Sequence, residues 1–183
     1  MTEEQSKGYR GCPTGLHFAQ HEPFNKRETI FSDDRVYRYV LWREWNNLFD
    51  SSTGHAMFIG LNPSTADETK NDPTIRKCIG FAKRWGYNAM CMTNLFAFRS
   101  TDPRKMMGFS KPIGPDNDMW IARCAREAGT IVAAWGVKGQ HIDRDLEVRK
   151  LIDRLQCLRR TKRGFPEHPL YVPYDATLKD FDL

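Results

Sequence analysis

Ala56-Met57-Phe58-Ile59-Gly60-Leu61, followed by Asn62-Pro63-Ser64-Thr65-Ala66-Asp67, decides the fold. Six apolar or small residues in an unbroken run describe a strand buried on both faces, because neither parity of side chain is polar. The turn after it is polar, and Asp72-Pro73 then opens a helix: Asp is a good N-cap and Pro a good first helical residue. Ile75, Cys78, Ile79, Ala82 and Trp85 recur at helical spacing, and Gly86 stops the helix. Ala89 to Leu95 is a second apolar strand. Strand, helix and strand in that order imply a parallel pair joined by a right-handed crossover.

The same reading extends in both directions. Upstream, Val36 to Trp45 alternates as a strand, although a short helix would also place Tyr37, Leu41 and Trp45 on one face. Downstream, a helix is expected from Asp116 to Ala128, a strand from Thr130 to Trp135, a helix from Ile142 to Leu158 and a short strand at Leu170 to Val172. The expected fold is a three-layer α/β/α sandwich with a mostly parallel four-stranded central sheet plus an antiparallel edge. Residues 1–33 hold Gly8, Gly11, Gly15, Pro13 and Pro23 without a sustained period, so they read as an irregular arm before one α/β domain at 34–183.

Composition agrees with one ordinary domain: 183 residues, 40% hydrophobic and 28% charged. The net charge of +5 permits a polyanionic partner without demanding one, and its densest stretch, Arg159-Arg160-Thr161-Lys162-Arg163, reads as a solvated loop. Cys12, Cys78, Cys91, Cys124 and Cys157 are odd in number and far apart, the pattern of reduced thiols in a cytoplasm. The acidic start Met1-Thr2-Glu3-Glu4-Gln5 is unlike a signal peptide, and no apolar run approaches a membrane span. Cys12, His17 and His21 match no strong zinc pattern and lack a fourth ligand, so no metal is expected.

In open α/β sheets, ligands sit outside the carboxyl ends of the strands. Three strand ends therefore define the candidate site: Gly60-Leu61-Asn62-Pro63-Ser64, Thr93-Asn94 and Trp135-Gly136. Ser64 and Thr65 are potential hydroxyl donors to an anion beside a helix N-terminus. Asp67 and Asp72 have the alternative of turn and cap roles, and Asp72 is read as the cap. Asn62 is read as functional, since a turn does not require a carboxamide before Pro63. Phe96 and Phe98 are candidate stacking platforms, and Arg99 a phosphate ligand unless Asp102 or Asp67 neutralises it. His168, just before the last expected strand, is a candidate donor to a leaving group.

Two resemblances attach to these motifs. Residues 59–67, Asn71-Asp72-Pro73-Thr74-Ile75-Arg76, Asn94 to Arg99 with Thr101-Asp102-Pro103, and His168 to Pro173 resemble a bacterial and phage family catalogued as a domain of unknown function, number 1643, from about Phe31 to Phe181. More distantly, the Gly60-Leu61-Asn62-Pro63 turn, Thr93-Asn94, the strand 131–136 and His168-Pro169 resemble the uracil-DNA glycosylase superfamily. That second resemblance implies a uracil-glycosylase-like fold. It also implies that Asn62 positions an attacking water and His168 steadies the leaving base. Leu170 stands where those enzymes have a serine, and their base-stacking phenylalanine has no counterpart in the first loop.

The expectation is a nucleobase-directed N-glycosylase-like hydrolase acting on DNA or a nucleotide, with Arg99 and the Ser64-Thr65 turn on phosphate and no cofactor. A non-catalytic nucleotide or nucleic-acid binding module is one alternative. The other is a phosphoester hydrolase with a divalent cation on Asp67 and Asp72.

Overall fold

The computed structural model describes residues 27–45, 54–67 and 69–181. Strands β1 (Arg27–Phe31), β2 (Arg38–Glu44), β3 (His55–Gly60), β4 (Ala89–Asn94), β5 (Ala128–Ala133), β6 (Gln156–Cys157) and β7 (Lys179–Asp180) form one mixed sheet. Their spatial order is β1-β2-β4-β3-β5-β6-β7. The inner pairs β4·β3, β3·β5 and β5·β6 are parallel, whereas β1·β2, β2·β4 and β6·β7 are antiparallel. Antiparallel strands therefore stand at both ends of the sheet, not at one edge.

All six residues of β3 and all six of β4 are buried, as the unbroken apolar runs predict. Their side chains feed two hydrophobic cores by alternation. Met57 and Ile59 pack with Trp120, Ile121 and Cys124 of helix α3 (Asn117–Glu127). Ala56 and Phe58 pack with Ile75, Cys78, Phe81 and Ala82 of helix α1 (Pro73–Arg84). α1 begins as its sequence dictates: Asp72 accepts from the Ile75 amide and Pro73 follows at the first helical position. The short helix α2 (Pro103–Met107) is capped in the same way by Asp102.

Three sequence readings need correction. Arg27–Phe31, within the stretch read as irregular, is strand β1; residues 1–26, with Cys12, His17 and His21, lie outside the described residues. The helix expected over 142–158 shrinks to α4 (Arg144–Arg149), because Ile142 and Asp143 both take left-handed backbone angles that no helix accommodates. Beyond α4, Cys157 packs into one core and Leu158 into the other, the two-sided alternation of a strand. Finally, Leu170 to Val172 is not a strand. Pro169 lacks an amide hydrogen and His168 caps the Leu170 amide, so Pro169–Tyr171 closes as a single 3-10 turn.

Cys78, Cys91, Cys124 and Cys157 are buried and unpaired, and burial holds the Cys78 and Cys91 thiols well above the ordinary range. Among the described residues, no helix is long and apolar enough to cross a membrane.

Candidate functional site

The carboxyl ends of β3 and β4, the segment after β5 and the start of β2 surround a cavity of about 190 Å³. β2 contributes because it runs antiparallel to β4: its first residue, Arg38, lies at the edge where β4 ends. Asn62, Asn94 and His168 all line this cavity, with Ser64, Asp72 and Trp135.

The loops that carry these residues are fastened to one another. Leu95 N donates to Gly60 O at 2.9 Å, Phe96 N to Leu61 O at 3.0 Å and Ser100 N to Pro63 O at 2.9 Å, so the two chains continue side by side past the strands. The Asn62 amide nitrogen joins that seam by donating to Ser100 O at 2.7 Å and Pro63 O at 3.1 Å. Its Oδ1 has no partner among the described residues. Asn62 is thus both a loop fastener and an open acceptor.

Asn94 is 3% exposed, and its Nδ2 is buried without a hydrogen bond. Leaving a buried amide donor unpaired is costly, so one that lines a cavity marks a place for a ligand acceptor. Gly60 makes room for it: a Cβ at that position would lie 2.7 Å from Asn94 Oδ1. On the other side, Asn117 Nδ2 donates to Asn94 O at 2.9 Å and Leu95 O at 3.0 Å, and Arg144 Nε to Leu95 O at 2.9 Å. Arg144, buried itself, is held by Asp118 and Glu147.

His168 Nδ1 accepts from Leu170 N at 3.3 Å, so the neutral ring carries its proton on Nε2. Burial pushes the His168 pKa down, against a weaker opposing influence of Asp72. The ring is a neutral N–H donor at pH 7.

The remaining sequence candidates divide. Ser64 lines both this cavity and a neighbouring groove of about 400 Å³ that holds Phe98 and Arg99. Arg99 Nη1 donates to Arg35 O at 3.1 Å and its guanidinium lies over the Phe31 ring at 4.7 Å; neither Asp102 nor Asp67 pairs with it. Thr65 is exposed and lines neither the cavity nor the groove. Phe98 stacks on Phe109 with centroids 4.0 Å apart. Phe96 is not a platform: it is fully buried in the α3-side core, where Leu95 and Ala97 beside it also pack once β4 has ended at Asn94. Asp67 is engaged by its own loop, its Oδ1 accepting from Thr69 N, Thr69 Oγ1 and Lys70 N, bonds that lower its pKa to about 2. With Asp72 on the Ile75 amide, both carboxylates proposed for a cation already hold backbone groups. Among the described residues, no three His, Cys, Asp or Glu side chains converge as a metal site.

Arg38 is the residue that sequence reasoning missed. A charged side chain between Tyr37 and Tyr39, in a strand of core residues, was the available signal. A larger hollow of about 820 Å³ opens at the opposite end of the sheet, beside Tyr87 and Thr130. Thr130 Oγ1 there donates to Gln156 Oε1 at 2.6 Å.

Residues 38–170 match a family described as "Protein of unknown function (DUF1643)". No curated protein and no solved structure matches the chain.

Proposed function

We propose a function for this chain from the premise that it belongs to the DUF1643 family of proteins of unknown function: it is a nucleobase-directed N-glycosylase-like hydrolase acting on DNA or a nucleotide. The observation that carries this reading is the unpaired Nδ2 of buried Asn94, a residue that lines the same small cavity as His168 and Asn62. A planar heterocycle with ring carbonyls supplies the acceptor that Asn94 lacks. His168 Nε2–H donates to the departing base. Asn62 Oδ1 accepts a hydrogen bond from the attacking water and orients its oxygen toward the sugar carbon. The C–N bond breaks and its electron pair leaves with the base, the water oxygen bonds to the sugar carbon in its place, and the base takes up the water's proton. Arg99 and Ser64, which line the neighbouring groove, hold phosphate outside the cavity with the exposed Thr65 next in the chain. In this reading the α/β sheet is a uracil-glycosylase-like, three-layer scaffold.

The test is release of free base from a panel of nucleotides and modified DNA strands, read by chromatography. His168→Ala should slow release about a hundredfold, the usual scale for losing a positioned proton donor. Absence of release from every substrate would refute the enzymatic reading. A binding module without turnover is the second reading, favoured by one feature: the Asn62 amide already serves the loop. Nucleotide affinity without base release would select it.

A further inference from the structure

We propose that Arg38 makes the strand-end cavity an anion site, so that its occupant carries, or acquires on bond cleavage, negative charge facing the guanidinium. This rests on the cavity being the ligand site proposed above and adds the charge of what it takes.

Arg38 is 2% exposed. Of its side-chain donors, Nη1 gives one bond to Ala66 O at 2.7 Å, and Nε is buried with no partner. No described carboxylate forms an ion pair with it. A buried guanidinium is ordinarily matched by a carboxylate, because a desolvated charge without a counterion is strongly unfavourable. Holding one loop carbonyl does not account for five donors and a full charge.

The surroundings point the same way. Asn94, on the lining of the same cavity, keeps its Nδ2 without a partner, and His168 has a neutral Nε2–H. Arg38, Asn94, Trp135 and His168 thus bring nitrogen donors to the lining of about 190 Å³, and the amide and carboxylate acceptors there are Asn62 Oδ1, Asn94 Oδ1 and Asp72, whose Oδ1 is held by the Ile75 amide. Burial lowers the Arg38 pKa to about 10, opposed by Asp72 and Asp67 and reinforced by the positive charge of Arg99 and Arg43. Arg38 still stays charged at neutral pH, and an anion in the cavity would restore its pKa upward.

The experiment compares two pyrimidine rings with the same ring carbonyls and different charge. Uracil is neutral at pH 7, and 5-nitrouracil is ionised there because the nitro group stabilises its anion. Titration calorimetry on the unmodified protein should give at least tenfold tighter binding for the ionised ring, and Arg38→Gln should abolish that preference. Inorganic phosphate is the third probe. If phosphate binds through Arg38 while neither ring binds, the anion site stands and the nucleobase reading fails. Equal affinity for the two rings overturns the proposal, as does anion binding that Arg38→Gln leaves intact. The ring comparison needs no variant, so a failure of Arg38→Gln to fold leaves the test in place.

Discussion

The side-chain amide of Asn62 donates to the carbonyl of Ser100 at 2.7 Å, tying the loop after β3 to the loop after β4. The residue read as water-positioning is therefore also architectural, and the two roles use different atoms. Asn62→Ala removes two loop bonds, which should lower stability by about 1–2 kcal/mol. It should also lower base release by about a hundredfold per folded molecule. Asn62→Asp keeps an acceptor but loses the donor to Ser100. It should be the less stable of the two, because it sets a carboxylate against carbonyl oxygens. Thermal unfolding and turnover on the same samples separate the effects; a destabilised Asn62→Ala with normal turnover would make the residue architectural alone.

Acid stability should be set in part by a histidine remote from the site. His55 is 4% exposed, and burial pushes its pKa down to about 4, opposed by its bond to Cys124 O. In the unfolded chain it titrates near 6.5. Between those values the unfolded state binds more protons, so stability rises with pH through that window. The contribution is complete above about pH 6.5 and falls away toward pH 4, by about 3 kcal/mol. Denaturant unfolding against pH should show this slope, and His55→Phe should flatten it.

The end of β4 depends on a buried cation from the far face. Arg144→Ala removes the donor to Leu95 O and opens a cavity where a fully buried side chain stood. Destabilisation of about 3 kcal/mol is expected, read from the denaturation midpoint. Because Asp118 and Glu147 are more than half exposed, they are left solvated and do not add the penalty of a stranded buried charge.

Gly60 is required by a neighbour, not by its own backbone angle. Gly60→Ala places a methyl 2.7 Å from Asn94 Oδ1 and must displace that side chain. Stability should fall by about 1–2 kcal/mol. Ligand affinity should drop tenfold or more, since the Asn94 amide leaves its position. Unchanged affinity, measured by calorimetry, would detach Asn94 from the site.

The parallel strands and α1 were legible because each rests on a local signal: unbroken apolar runs in β3 and β4, and the Asp72-Pro73 start of the helix. Segment 142–158 was misread because Val148, Ile152 and Leu155 are buried at helical spacing, although left-handed Ile142 and Asp143 and the return to β6 break the helix. Asn62 and Asn94 could be grouped because each stands at the end of a parallel strand, whereas His168 was placed by an expected final strand that is a 3-10 turn. Phe96 and Asp67 could not be sorted by type. An aromatic after a strand end serves equally as core, and an Asp in a turn serves its own loop. Arg38 escaped because its position depends on β2 running antiparallel beside β4, a long-range pairing that no local pattern encodes.

The Asn94 side-chain amide is the most direct probe of the whole account. Its two N–H signals can be identified in a nitrogen–proton correlation spectrum by their loss in Asn94→Asp, then followed while a nucleoside monophosphate or a free base is added. The account predicts that these signals move with saturation, together with the His168 ring, because the ligand carbonyl fills the place their missing partner leaves. Ligand binding that leaves the Asn94 amide unmoved and shifts residues such as Tyr87 and Thr130 at the opposite end of the sheet would contradict it.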